Sequence, residues 1–577
     1  MTGRLLFGAF LLSLSCSADN GGGGAPAGSG SGSTTAAGSG GTTSGNGGAS
    51  STTGGLGGAS GMGTGGAVGA GGSGGSPGGA GGAGGTTKGD GGTPDPTQSV
   101  LQRGKNDART AHFIQSNLTL SNVPKMALDT TFTATFTGHL MGVPLYLANG
   151  PNGKGVFFAA TLENTVYALD ETTGATVWQH SIGTAPNSSS GPGITSRGII
   201  STPVIDATAR VIYVAGGIVG TGPTVLGHHE IHALSVDTGN EVAGGWPIDV
   251  SRVTAGSVTF NPPDQHQRSA LSLVGGILYV AFGGNYGDGG NYHGWVVAVN
   301  TATPTSVAGW ATLGPQEGIW APGGMASDGN GVLAITGNGH AADHTNSDAE
   351  EIIRITGMAV PHRDAANMFY PTIWQSGMDN GDKDFGSCSP IFVDVPGSTP
   401  SKLVVAPAKP GHVYFLNATN FGGLGGQLRD LLVASTTAES VYTAPTAYTT
   451  GQGVRVAIST TIGSVCPGGV ANSNVMSILL TPGSPPTPQI SWCAHVADDD
   501  ETRRRSPIST TTDGHSDAVV WFMNGTKLNA FDGDTGALLF NGGTGDCGGI
   551  HRHTSPIAAN NRIVAGGDGH LCSWSVH

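Results

Sequence analysis

The chain is poor in charge, in aromatic side chains and in cysteine, and each shortage excludes something. Charged residues make up 11% of its 577 residues and aromatics 6%, with a formal net charge of −14. No dense Lys/Arg cluster occurs. Arg503-Arg504-Arg505 directly follows Asp498-Asp499-Asp500-Glu501, so that patch is mixed in sign. A surface that tracks phosphates needs clustered cations, and nucleic acid is therefore excluded as a partner. No Cys-x-x-Cys pair is present, which excludes zinc ribbons and redox dithiols, and no Cys-x-x-Cys-His attaches a haem. Neither a nucleophile elbow nor a phosphate-cradling glycine loop is found. The apolar run over residues 5–14 is too short to cross a bilayer as a mature helix.

Glycine is abundant, at 102 residues, but unevenly placed. Residues 17–97 are almost wholly Gly, Ser, Thr and Ala. Such a stretch cannot bury enough apolar surface to offset its ordering entropy, so a disordered tether is expected there. Before it, Arg4, the apolar run and Ser15-Cys16 read as a targeting segment over residues 1–16. A small residue before cysteine resembles the bacterial lipobox, in which Cys16 is lipidated and becomes the first mature residue. Ser13 stands where leucine is preferred, and an ordinary cleaved signal peptide is the alternative. A tether of this composition reaches roughly 50 Å, enough to hold a head clear of a membrane. The expectation is an exported protein, either an outer-membrane or cell-surface lipoprotein or a secreted or periplasmic one. Disulfides persist there. Among the five later cysteines, the local pairs Cys466–Cys493 and Cys547–Cys572 are expected to staple strands, with Cys388 left over.

The remaining residues, 98–577, carry a recurring phrase. It reads Val166-Tyr167-Ala168-Leu169-Asp170, then Thr173-Gly174 and Trp178. Related versions are Ile231-His232-Ala233-Leu234 with Asp237-Thr238-Gly239, and Val297-Ala298-Val299-Asn300 with Trp310. Another is Leu528-Asn529-Ala530-Phe531-Asp532 with Asp534-Thr535-Gly536 and Phe540. Each copy predicts a strand, a tight turn and a second strand ending in an aromatic: a β-propeller blade. Asp caps the turn, Gly takes a positive φ, and the aromatic packs into the neighbouring blade. Small-residue-plus-Pro openings mark the inner strands. They fall at Pro144, Ser201-Thr202-Pro203, Arg268-Ser269-Ala270, Ala321-Pro322, Cys388-Ser389-Pro390, Thr443-Ala444-Pro445, Ser506-Pro507 and Thr554-Ser555-Pro556. The fold class expected is all-β, an eight-bladed propeller of four-stranded blades. Blocks four and six fit poorly, leaving seven as the alternative count. The last block lacks an outermost strand, and the strand-like run over residues 127–137 is expected to supply it and close the ring.

The repeat resembles the pyrroloquinoline-quinone (PQQ) type, found in quinoprotein alcohol dehydrogenases and in non-enzymatic outer-membrane assembly scaffolds. A closer likeness is to bacterial secreted PQQ-repeat-like proteins. It rests on Asn106-Asp107-Ala108-Arg109-Thr110, Gln267-Arg268-Ser269-Ala270-Leu271, Tyr292-His293-Gly294-Trp295, Gly318-Ile319-Trp320, Thr336-Gly337-Asn338-Gly339, Asp384-Phe385-Gly386-Ser387 and Gly411-His412-Val413-Tyr414. It departs from the dehydrogenases in having no adjacent cysteines, no fused cytochrome and no calcium set that can be placed residue by residue.

Propellers bind ligands where inner strands and top loops converge. The residues just before each inner strand are therefore the candidates. His266, Gln267 and Arg268 precede the third, Trp320 the fourth, Asp382, Lys383 and Asp384 the fifth, and His551, Arg552 and His553 the eighth. Lys409 and His412 sit further along the fifth block. Arg268 and Lys409 would meet an anionic ligand, Trp320 would stack on a flat one, and Asp384 would act as general base. These residues suit PQQ with calcium, and they equally suit a polar channel lining. Two functions are compatible with these residues. One is a monomeric, envelope-tethered binding or scaffold module for an envelope protein or glycan. The other is a PQQ- and calcium-dependent alcohol or sugar dehydrogenase.

Overall fold

The computed structural model describes residues 95–577 apart from 188–195, 285–288, 340–341, 435–440, 461–464, 470–472, 497–503 and 544. The expected targeting segment, Cys16 and most of the tether lie outside the described residues. Blade 1 sets the pattern: Leu145–Leu147, Val156–Ala160, Thr165–Asp170 and Thr176–Ser181 pair in chain order, antiparallel throughout. Its second strand is buried at all five positions. A sheet sandwiched between two neighbours has no solvent face, so its middle strands read as unbroken apolar runs.

Eight such sheets form the propeller, and all eight expected openings sit at the start of a blade. Blade 6, one of the two poor fits, is regular, with strands Thr446–Thr450, Gly453–Ser459, Val475–Thr481 and Thr487–Ala494. Blade 4 is the irregular one. After Pro322 no inner strand forms, and Leu333 N donates to Ala326 O at 2.9 Å in its place. Its outer edge is lent by Gly423–Leu424, which runs parallel to Met368–Tyr370. In blade 8 the missing outermost strand is Met126–Leu128, antiparallel to His570–Val576, with a further bridge from Thr135 to His570. The chain thus closes its own ring. Cys466–Cys493 and Cys547–Cys572 are both disulfide-bonded, and Cys388 is a buried thiol whose Sγ donates to Val441 O at 3.0 Å.

The apolar cores lie between blades. One joins blades 1 and 2 through Phe158, Trp178, Ile212 and Leu234, and another joins blades 6 and 7 through Trp492, Val520 and Phe531. The turn chemistry explains the join. Asp170 Oδ1 accepts from the backbone N–H of Thr172 and Thr173 at 3.0 and 2.8 Å, and Gly174 has φ +78°. Trp178 then reaches blade 2, where its Nε1–H donates to Val236 O at 2.8 Å. A Cβ on Gly239 would lie 2.5 Å from that indole. Trp492 repeats the arrangement on Gly533 O and Gly536 of blade 7.

One feature was not foreseen. Before the closing strand, the chain crosses the axis as a strap. Val100 bridges Tyr146 of blade 1, and Leu101 O accepts from Ile205 N of blade 2 at 2.7 Å. Asp107 O, Ala108 O and Thr110 O accept from Ser327 N, Phe392 N and Ala447 N of blades 4, 5 and 6. His112–Ile114 pairs parallel with the inner strand Ile508–Thr511 of blade 7. Gln115 Oε1 accepts from Asn561 N of blade 8 at 2.6 Å. Arg109, in the left-handed region at φ 61°, serves blades 3 and 4. Its guanidinium donates to Leu271 O at 2.9 Å, Ser272 Oγ at 2.5 Å and Met325 O at 3.3 Å. One short segment therefore bonds to all eight blades. Replacing Arg109 by Met should cost about 3 kcal/mol, because several charge-assisted bonds go and buried carbonyls are left without donors. A lower urea midpoint at unchanged slope would show it.

Candidate functional site

The structure brings the four principal candidates into one connected set at the axial ends of blades 3 to 5. Arg268 Nε donates to Trp320 O at 3.3 Å. The Trp320 ring is buried in the seam between blades 3 and 4. Its Nε1–H donates to Gly284 O at 3.3 Å, and it meets Tyr292 edge-on. Gly283, Gly318 and Gly337 make room for it, since a Cβ on any of them would fall 2.4–2.5 Å from the ring. Gly337 is also the link to Asp384, whose Oδ1 would lie 2.7 Å from a Cβ there and accepts from Asn338 N at 3.2 Å. Asp384 Oδ2 accepts from Lys409 Nζ at 3.0 Å, and both side chains are buried. Lys409 also donates to Asp382 O at 2.7 Å.

The other candidates scatter. His412 hydrogen-bonds Asp430 at 2.7 Å and stacks on Tyr414, on the outer half of blade 5. His551 hydrogen-bonds Asp568 at 2.7 Å. His266 is buried, and burial with the nearby charges of Arg268, Arg197 and His229 holds its pKa well below the usual histidine value. Among the described residues, one group of His, Cys, Asp or Glu has metal-ligand spacing, Cys547, Cys572 and His570, and its two sulfurs are spent on each other.

Sequence reading missed the acids behind Asp384. Glu350 is fully buried, at the left-handed φ of 54°. Its Oε2 accepts from Phe385 N at 2.5 Å, while its Oε1 meets no donor among the described residues. Burial first, then the charges of Asp384 and Asp379, push its pKa well above the carboxylate range. Asn338 Oδ1 is likewise buried without a donor. A second arc lies further out. Glu317 accepts from Ser347 Oγ at 2.6 Å and from Gly314 N and Asp348 N at 3.0 Å each. Asp348 takes a two-point bond from Arg363 at 2.6 and 2.7 Å. Glu351 is pushed well above its usual value by burial and by Asp348. The legible signal was Asp348-Ala349-Glu350-Glu351 abutting the buried strand Ile352–Thr356: four residues of which three are acidic, entering a run with no solvent face.

Asn338 Oδ1, Glu350 Oε1 and the Asp384 carboxylate are hard oxygens of the type calcium takes. The axial space beside Arg268 and Pro322 has room for about one water, ≈ 10 Å³, among the described residues.

No protein family matches the chain by sequence, and no curated protein does. Solved structures do match. The quinohemoprotein alcohol dehydrogenase of Comamonas testosteroni aligns over 84% of this chain and 81% of its own, at 14% identity and a TM-score of 0.52. The quinohemoprotein alcohol dehydrogenase ADHIIG of Pseudomonas putida HK5 aligns over 83% and 80%, at 13% identity and 0.55. A europium-containing methanol dehydrogenase aligns over 82% and 90%, at 14% identity and 0.52. The fold is that of the PQQ propellers. At these identities the likeness concerns the fold and carries no activity with it.

Two outcomes follow from the buried charges. Lys409→Met and Asp384→Asn should each destabilise the protein, and the double variant should lose less than their sum by about 2 kcal/mol, because each single change strands a buried partner. Urea unfolding of the three variants measures that difference. Glu317 is raised to about 7, chiefly by burial. A carboxyl raised in the folded state contributes stability that is full below its unfolded pKa of about 4.5 and lost as pH rises through about 7. Urea midpoints should therefore fall between those two pH values, and Glu317→Gln should flatten that slope.

Proposed function

We propose that this chain is an exported propeller that works by binding, held at the cell envelope through Cys16 and presenting its head to an envelope protein or glycan. The observation that carries this reading is the state of the axis. The strap crosses it, and the candidate residues engage one another. Two disulfides are compatible with export. Apolar side chains on the rim strands, among them Val360, Leu424 and Leu538, are more than half exposed and offer contact surface.

A second reading, a PQQ- and calcium-dependent alcohol or sugar dehydrogenase, is favoured by the oxygen set of Asn338, Glu350 and Asp384. In that reading these three would hold the cation, and Arg268 would meet a cofactor carboxylate. PQQ supplies hydride acceptance when bound. Lys409 Nζ donates to Asp384 Oδ2, and in that reading the carboxylate would take the proton of the substrate hydroxyl.

Titration of the protein with PQQ and Ca²⁺, followed by absorbance, separates the two. The binding reading expects no saturable spectral change at high micromolar cofactor, no reduction of an artificial acceptor with alcohols or sugars, and saturable retention on purified envelope glycan or protein. Stoichiometric cofactor binding that Arg268→Ala weakens would replace it with the dehydrogenase reading.

A further inference from the structure

The strap does more than bond to the blades: it brings charge to the axis. Arg103 is 3% exposed and Arg109 2% exposed. Arg109 donates to three carbonyls and a hydroxyl, none of which carries charge. Arg103 Nη2 is fully buried and meets no acceptor among the described residues. The arginine–carboxylate pairs of the described residues use Arg210, Arg354, Arg363 and Arg455. Neither Arg103 nor Arg109 is among them. Asp107, the acid that eases Arg109, is exposed on the strap and bonds to Gln102 at 2.6 Å.

A guanidinium holds its proton under ordinary conditions, so its burial calls for negative charge or water. Burial and the charge of Arg109 nevertheless pull Arg103 down to about 9. An uncompensated pair of buried cations is costly by several kcal/mol per ion in general terms. The space that Arg103 lines is shared with Thr202, Met141, Pro322, Arg268 and His553. Thr202 Oγ1 accepts from Val143 N at 3.1 Å, which leaves its own hydroxyl proton to donate. Beside it, Ser201 Oγ is buried with no partner among the described residues. The lining is thus cationic and rich in donors, with an apolar side at Met141 and Pro322.

We propose that this axial space is a binding site for a small monatomic anion of the halide class, chloride foremost, held by Arg103 Nη2 and the Thr202 hydroxyl. A space of ≈ 10 Å³ admits a particle close to water in size. Its apolar side suits a weakly hydrated ion. The bound anion neutralises the strap where it crosses the ring, and so couples the folded propeller to halide concentration. This site stands apart from the Asn338, Glu350 and Asp384 oxygen set, which would attract cations, and does not depend on the function proposed above.

Thermal unfolding of the full chain in sodium chloride and in sodium isethionate at equal ionic strength tests the site. A ligand that binds the native state alone raises the unfolding midpoint in proportion to the logarithm of its concentration. The expected result is a midpoint about 2 °C higher in chloride at 0.2 M, matched by bromide and absent in Arg103→Met. Equal midpoints in chloride and isethionate would overturn the proposal, as would a chloride increment that survives Arg103→Met. Should that variant fail to fold, crystals of the unaltered protein in bromide decide the matter. An anomalous peak beside Arg103 Nη2 supports the site, and bromide confined to the surface overturns it.

Discussion

The structure depends on an aromatic ring of one blade seated on the turn glycine of the next. Trp178 lies on Gly239 and donates to Val236 O; Trp492 lies on Gly536 and donates to Gly533 O. Tyrosines do related work, with Tyr279 Oη donating to Gly357 O of blade 4 at 2.9 Å and Tyr448 Oη to Gly533 O of blade 7 at 2.7 Å. Each tryptophan clasp needs a residue without Cβ on one side and a flat ring with one polar atom on the other. A blade alone satisfies neither half. The apolar cores follow the same logic, since they lie between sheets and not within them. Stability is therefore a property of the closed ring, and the closing strand Met126–Leu128 and the axial strap both serve that closure.

Closure by a strap has a consequence for chemistry. A segment that bonds to all eight blades must bring its backbone to the axis, and its side chains come with it. Arg109 converts that approach into anchorage on blades 3 and 4. Arg103 is left beside a space of about one water's size. Arg268, Trp320, Asp384 and Lys409, at the axial ends of blades 3 to 5, are linked to one another by hydrogen bonds and close packing. Rigid polar residues of this kind can line a channel or be poised for a ligand, and the buried oxygens of Asn338 and Glu350 are what gives the second option its chemistry.

Much of this was legible in the residues. The Asp-Thr-Gly turns, the aromatic that follows, the openings with proline and the two local disulfides are all short-range or periodic features, and they stand where the repeat puts them. Arg268, Trp320 and Asp384 precede inner strands in the sequence and Lys409 lies further along blade 5; the links among the four are tertiary. The acids of Asp348-Ala349-Glu350-Glu351 were not legible as part of the site, since blade 4 departs from the repeat and its phrase has no Asp-Thr-Gly to mark the register. Blade 6 shows the converse: its sequence drifts from the phrase, yet the sheet is regular, because alternation and burial specify a strand with many sequences.

By itself the sequence determined the class of the protein: a repeat that cannot bury its faces alone must stack, and eight copies must close on themselves or leave an edge. Tertiary structure decided everything that depends on which residues distant in the chain meet. The strap across the axis, Arg109 reaching residues 162 and 216 positions away, and the convergence of Glu350 with Asp384 are such meetings. The physical reason is range. Turn chemistry and strand alternation act over a few residues and leave a periodic trace. Contacts at the axis are made once, by a segment with no repeat of its own, and only the folded ring brings their partners within bonding distance.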